Sequence, residues 1–301
     1  MILSKKDVDK AIIFILFIIV IVPPLFVEKY ALDFLIYILS YLALVGAWNI
    51  FSASTGYLFL GTSAFFGIGG YFYSIIQYLL PYGLSNFTSG IFCFFLALSI
   101  GLPLLRIRGP YFVIASYALS LLFSNIILYY EQVFRGTTGR WLYIPDVYLL
   151  YSIMAALTIS SWVALYLLRK SRFGYALFSI RGDEEAAEAI GINTTLYKCL
   201  AFGIAAFFMG CVGSTLSSLG GYIDTSTAFS PTISFNTLVM GVLGGLSLKG
   251  TFISAIILSI VYELFGATGY PYPFFVLMGV CLFIYLLYKG SVEELIKGRA
   301  P

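Results

Sequence analysis

The sequence predicts an all-α polytopic membrane protein. Three observations carry that reading. Of 301 residues, 60% are hydrophobic and only 10% charged, whereas a soluble domain carries about a quarter charged residues. The mean hydropathy is +0.97, so most of the outer surface must face lipid. The apolar stretches are continuous and of helix length, unlike the short alternating segments of an outer-membrane barrel.

The first stretch follows Lys5-Lys6-Asp7-Val8-Asp9-Lys10 and runs over 11–27. Val22-Pro23-Pro24 does not fit a cleavage site of small residues, so this is read as an uncleaved membrane helix. Further apolar segments fall at roughly 31–51, 57–80, 88–105, 111–130, 148–168, 198–219, 236–248, 251–266 and 273–289. Segment 236–248 is short and glycine-rich; with 251–266 it reads as two full spans or as broken, half-spanning helices. About ten spans in one domain, 1–301, are expected.

Charge tests this drawing. If the segments alternate from an inside N-terminus, fourteen basic residues fall inside, among them Arg106, Arg108, Arg169, Lys170, Arg172, Arg181, Lys198 and Lys249. Only Lys29, Arg135 and Arg140 fall outside. The positive-inside bias thus places both termini in the cytoplasm. Tyr129, Tyr130, Trp141, Tyr143 and Tyr148 surround the longest outer loop as interfacial aromatics do, and Tyr270-Pro271-Tyr272-Pro273 marks an outer turn.

Several chemistries are excluded or disfavoured. The chain has no histidine, so neither His-based catalysis nor a His-ligated metal site is available. Cys93, Cys199, Cys211 and Cys281 lack metal-ligand spacing and read as small apolar residues. No basic tract marks nucleic acid as a partner. Glu263 is the one acid well inside an apolar segment and is read as a packing or interface residue; Asp33 and Asp224 sit at outer boundaries. No chain of buried carboxylates points to ion coupling. No Gly-x4-Gly-Lys-Ser/Thr loop is present, so any ATP would be bound and hydrolysed by another polypeptide.

Three stretches stand out. The first is a polar island, 169–197, ending at Lys198. Within it Asp183 can cap a short helix, Glu184 and Glu185 suit its positive end, and Gly191 can stop it. Ala186, Ala187 and Ala189 would let a second protein approach closely. The helix reads equally as a docking element or as an ordinary interfacial connector. The second stretch, Gly56 to Tyr71, holds Gly56, Gly61, Thr62, Ser63, Gly67 and Gly70, with Asn49 just before it. The third carries Gly241, Gly244 and Gly245. Both can line a pathway or allow close helix packing. Gly210, Gly213, Ser214, Ser217 and Gly221 form a further small-residue stripe, expected to pair with the third stretch.

Several of these runs resemble one family. Glu185-Ala186-Ala187-x3-Gly191 looks like the loop with which ABC importer permeases enter a cleft on their ATPase. Ser171-Arg172-Phe173-Gly174-Tyr175-Ala176-Leu177, Leu105-Arg106-Ile107-Arg108-Gly109-Pro110-Tyr111-Phe112, the run from Gly56 to Tyr71, and Val242-Leu243-Gly244-Gly245-Leu246 with Gly250 resemble permease subunits of branched-chain amino-acid ABC transporters. The spacing is similar to the shorter-loop member of the permease pair.

The resemblance implies a fold of about ten helices in the cytoplasmic membrane. It also implies a homologous second permease, two ATPase subunits that bind the ATP, and an extracytoplasmic solute-binding protein. It implies no covalent chemistry and no cofactor in this chain, with Asp183, Glu184, Glu185, Ala186, Ala187 and Gly191 as the ATPase-coupling residues. Where the family carries a glutamine and a Gly-His pair, this chain holds Tyr57-Leu58-Phe59 and Gly61-Thr62. That departure leaves urea, sugars and nucleosides beside amino acids as solutes. A self-sufficient channel or secondary carrier is the alternative from another class.

Overall fold

The structure, a computed structural model, describes residues 29–268 and 272–297. The expected first helix, 11–27, and the first half of the Tyr270–Pro273 turn lie outside them. The described chain is helical almost throughout. Helix α1 (Lys29–Trp48) runs into a π-helical turn, Asn49–Ala53. Then follow α2 (Thr62–Ile76), α3 (Tyr82–Leu104) and α4 (Pro110–Tyr130), the last extended by a second π turn, Glu131–Arg135. Strand β1 (Arg140–Trp141) precedes α5 (Val147–Lys170), α6 (Arg172–Gly182), α7 (Glu184–Ala189) and α8 (Thr194–Gly220). Strand β2 (Tyr222–Ile223), α9 (Thr225–Ala228), α10 (Pro231–Gly244), α11 (Leu248–Ala267) and α12 (Tyr272–Lys297) complete the order.

Among the described residues, six helical stretches are long and apolar enough to cross a membrane: Ala31–Ala53, Tyr82–Leu104, Pro110–Arg135, Val147–Lys170, Thr194–Gly220 and Leu248–Ala267. Helices α2 and α10 have only 15 and 14 residues. The continuous span expected over 57–80 is therefore a short extended run, 57–61, followed by the 15-residue helix and a turn. Of the two readings of 236–266, α10 is the short element and α11 a full-length one.

Helices α1 and α8 form the centre and are buried along most of their length. Helix α8 packs against α2, α3 and α1, while α1 packs against α5 and α11. The turns collect at two ends. At one end meet the basic turns after α3, α5 and α10: Arg108 reaches Glu184 and Glu185, and Arg169 donates to the Leu246 carbonyl. At the other end β1 and β2 pair antiparallel, Arg140 opposite Ile223 and Trp141 opposite Tyr222.

Close approach in the core depends on bare backbone. A Cβ on Gly213 would lie 2.0 Å from the Phe66 carbonyl oxygen, and one on Gly69 would lie 2.2 Å from that of Gly210. Lipid offers no hydrophobic gradient between helices, so such van der Waals contact is what holds them together. The α8 stripe thus serves α2, and Gly210 also faces Cys93 of α3. It does not pair with α10, as the glycine spacing had led one to expect. Gly241 of α10 lies instead against Trp48, and Gly244 against Thr251 of α11. Each stripe is matched by the element whose own small or flat surface meets it.

Gly213→Leu should destabilise the fold by at least about 1–3 kcal/mol through overpacking. Thermal unfolding in detergent, followed by loss of the monodisperse peak, checks this; Gly83→Ala, where a Cβ meets nothing within 4 Å, should match the parent.

Candidate functional site: the acidic helix and the elbow beneath it

Helix α7 is built locally. The Asp183 carboxylate accepts from the backbone N–H of Glu185 at 2.9 Å and of Ala186 at 3.1 Å, two of the donors that a helix start leaves unpaired. Gly191, at φ +89°, reverses the chain in the left-handed region that glycine enters without cost. The Ile192 N–H closes back on the Ala187 carbonyl at 3.0 Å. Ala187 is buried beneath the helix, while Ala186, Glu185 and Ile190 face outward.

The two neighbouring acids point in opposite directions. The Glu185 side chain is 84% exposed and the Glu184 side chain 13%. Glu184 accepts from Lys198 at 2.5 Å and from the Tyr57 hydroxyl at 2.7 Å. Lys198 is buried near the start of α8 and also lies 3.3 Å from the Tyr57 hydroxyl. Burial alone would push the Glu184 carboxyl up, but hydrogen bonds from Lys198 and Tyr57, with the positive charges of Lys198 and Arg108, hold it below its ordinary value. Burial, and then Glu184 itself, raise the Tyr57 hydroxyl above its usual range, so it stays protonated as a donor. Removing one partner from a buried pair costs about 3–5 kcal/mol, because the other charge is stranded.

Tyr57 begins the extended segment between the end of α1 and α2. Gly56 makes the elbow at φ +81°, and the Arg181 side chain lies across its bare face. Arg181 also donates to the Ala53 carbonyl. From this elbow the chain climbs into the apolar body. Phe59 packs on Phe202, about 12 Å along α8 from Thr194 at 1.5 Å per residue. Irregular backbone at such depth must have its polar groups satisfied by protein. The Phe59 N–H donates to Ser52 Oγ at 3.3 Å, its carbonyl accepts from Trp48 Nε1 at 2.8 Å, and the Leu60 N–H donates to Ser116 Oγ at 3.0 Å. Helix α2 then starts inside the protein. Its Ser63 N–H donates to Ser234 Oγ at 2.8 Å, in the first turn of α10. Two half-length helices, running to opposite ends, thus begin at one buried junction.

The remaining residues singled out in the sequence do not form one constellation. Gly61 lies against the Ser116 carbonyl. The Thr62 hydroxyl is buried beside the junction without a hydrogen-bond partner among the described residues. Asn49 is buried, its amide donating to the Val45 carbonyl of its own helix. A Cβ on Gly67 would strike Phe229, and one on Gly70 would strike Ile223 and Ser217. Gly245, at φ +68°, turns the chain between α10 and α11.

Sequence reasoning missed the pairing of Lys198, which stood only as a topology charge. It also missed Glu131, fully buried at the other end, where its carboxylate pairs with Arg140 at 3.0 Å. In both cases the only signal was a charge at the edge of an apolar run. Arg108, one of the basic residues that the charge pattern puts inside, lies 3.7 Å from Glu184 and 3.5 Å from Glu185.

Residues 30–287 match the family described as the branched-chain amino acid transport system / permease component. The chain belongs to this family. It is 24% identical over 289 residues to the high-affinity branched-chain amino acid transport system permease protein LivM of Salmonella typhimurium, covering 84% of this chain and 67% of that protein. Against the LivM protein of Escherichia coli the identity is 24% over 274 residues, covering 79% and 64%. The chain thus spans about two thirds of the length of these relatives. No solved structure matches it. As a member of this family the chain is a multi-pass membrane protein and a transport permease subunit.

The depressed Glu184 carboxyl has a definite pH consequence. Its tie to Lys198 stabilises the fold fully above the ordinary glutamate value of about 4.3. That stability is lost as pH falls through the lower native value. The melting temperature of Glu184→Gln should lie below the parent's at neutral pH, and the two should converge in acid; a gap that is constant with pH would contradict the assignment.

Proposed function

We propose that this chain is one permease subunit of an ABC importer for branched-chain amino acids, and that α7 with its cap and stop, Asp183 to Gly191, is where an ATPase subunit docks. The observation that carries this reading is the outward acidic face of α7 at the basic end of a permease of this family. Glu185 and Ala186 would enter a cleft on the ATPase: the alanine permits close backbone approach, and the carboxylate suits basic groups lining the cleft. Beside them lies an open crevice of about 640 Å³ between Arg108, Arg181, Asp183 and the Tyr57 elbow, with room for an inserted side chain.

In this reading the basic end is cytoplasmic and both termini lie there. The single permease domain crosses the cell membrane about ten times. A homologous second permease completes the pathway, two ATPases supply the ATP-binding sites, and an extracytoplasmic protein delivers the amino acid. The relatives named above are branched-chain amino acid permeases, which favours that solute over urea, sugars or nucleosides. ATP-driven closure of the ATPases would move α7 as a rigid lever, and the two permeases would then exchange outward for inward access. Binding energy, not bond chemistry in this chain, sets the alternation.

Gentle solubilisation of the tagged chain from its native membrane, followed by mass spectrometry, should recover ABC ATPases and a second permease. Glu185→Lys should abolish ATPase recovery, and Gly191→Val, forced into a backbone region hostile to a branched side chain, should reduce it while both variants still insert. A stable assembly of this chain alone that moves leucine without ATP would overturn the proposal.

A further inference from the structure

We infer that Glu184, Lys198 and Tyr57 form a transmission latch that passes movement of α7 to the extended segment 56–61, so that Glu184 is a positioning residue and not part of the surface an ATPase meets. This inference rests on the proposal that α7 is the docking helix, and it concerns what lies beneath that helix.

The geometry separates two tasks. Glu185 is open to a partner, tied among the described residues only to the exposed Arg108 at 3.5 Å; Glu184 is turned under the helix and held by Lys198 at 2.5 Å and Tyr57 at 2.7 Å. A docked protein therefore reaches the first acid but not the second. Lys198 sits 3% exposed near the start of α8, the helix at the centre of the fold. Tyr57 is the first residue beyond the Gly56 elbow. Arg181, at the end of α6, grips the other side of the same elbow through the Ala53 carbonyl. Helices α6 and α7 thus hold the elbow at two points.

What the elbow governs is the start of α2. Four residues beyond Tyr57 the chain reaches Gly61, and Ser63 then meets Ser234 at the buried origin of α10. Residues 58–61 have no helix of their own to resist a pull. Phe59 is anchored by packing on Phe51, Phe65, Phe112 and Phe202, and the backbone by single hydrogen bonds with the Trp48, Ser52 and Ser116 side chains, each worth about 0.5–1.5 kcal/mol net. A displacement of α7 reaches this segment through Tyr57, whose hydroxyl is bonded to the same Glu184 carboxylate that the buried Lys198 holds. The segment and its anchored Phe59 therefore shift with α7, carrying the junction of the two half-length helices with them.

The test uses the whole transporter in proteoliposomes: this chain with the ATPases, second permease and binding protein that purify with it, and radiolabelled leucine as solute. Tyr57→Phe removes one oxygen and leaves the ring packing intact. The ATPases should still co-purify and hydrolyse ATP, while leucine transported per ATP falls by about tenfold, the scale of a lost coupling contact. Glu184→Gln should behave alike, and the double variant should be no worse than either single one, because both break the same link. Leucine per ATP within about twofold of the parent in Tyr57→Phe, or losses that multiply in the double variant, would overturn the latch. Glu184→Gln failing to fold leaves Tyr57→Phe as the deciding variant. Failure of the parent to bring down any ATPase overturns the docking proposal itself; retained ATPase with an unchanged yield overturns the latch alone.

Discussion

The constraint on which the rest depends is the need to satisfy the backbone of residues 59–61 inside an apolar body. A helix satisfies its own peptide groups, and an extended run in the same place cannot. Here the Phe59 N–H and carbonyl and the Leu60 N–H are matched by Ser52, Trp48 and Ser116 in turn. Those three side chains fix where α1 ends, how closely α4 approaches, and where α2 begins. The short α2 then leaves space for α10 to start at the same buried level. A permease with two such half-length helices has a discontinuity in its middle, and the extended chain leading to it begins directly under α7.

Electrostatics divide the molecule into two ends with different duties. At the basic end a partly buried quartet, Arg108, Glu184, Lys198 and Tyr57, joins three loops into one body. At the other end Glu131 and Arg140, with the Gly139 N–H donating to Glu131 at 2.8 Å, pin the longest loop against the short β1–β2 pair. Buried ion pairs of this kind contribute little net stability compared with apolar packing, but breaking one is costly. Their effect is to fix geometry. The exposed Glu185 and Ala186 are presented on a base that does not give, as a surface that transmits force requires.

Much of this was legible in the sequence, and the parts that were not share a cause. Helix bodies follow from apolar runs, and the limits of α7 follow from Asp183 and Gly191, because caps and stops are decided by adjacent residues. The extended segment was hidden: Tyr57-Leu58-Phe59-Leu60 is as apolar as any helix, and only hydroxyls and an indole from distant residues make another conformation affordable. The opposite orientations of Glu184 and Glu185 were hidden likewise, since the partner that turns Glu184 inward lies fourteen positions away. The two small-residue stripes were visible, but not which helices they would meet. Spacing reports that a face is bare; the neighbour depends on the whole packing.

The central claim is that α7 is the surface through which another protein drives this permease. The most direct measurement places a photo-crosslinking residue at position 185, and separately at position 141 at the opposite end, in intact native membranes. The account requires a covalent adduct with an ABC ATPase from position 185 and none from position 141. An ATPase adduct from position 141 with none from 185 would contradict it.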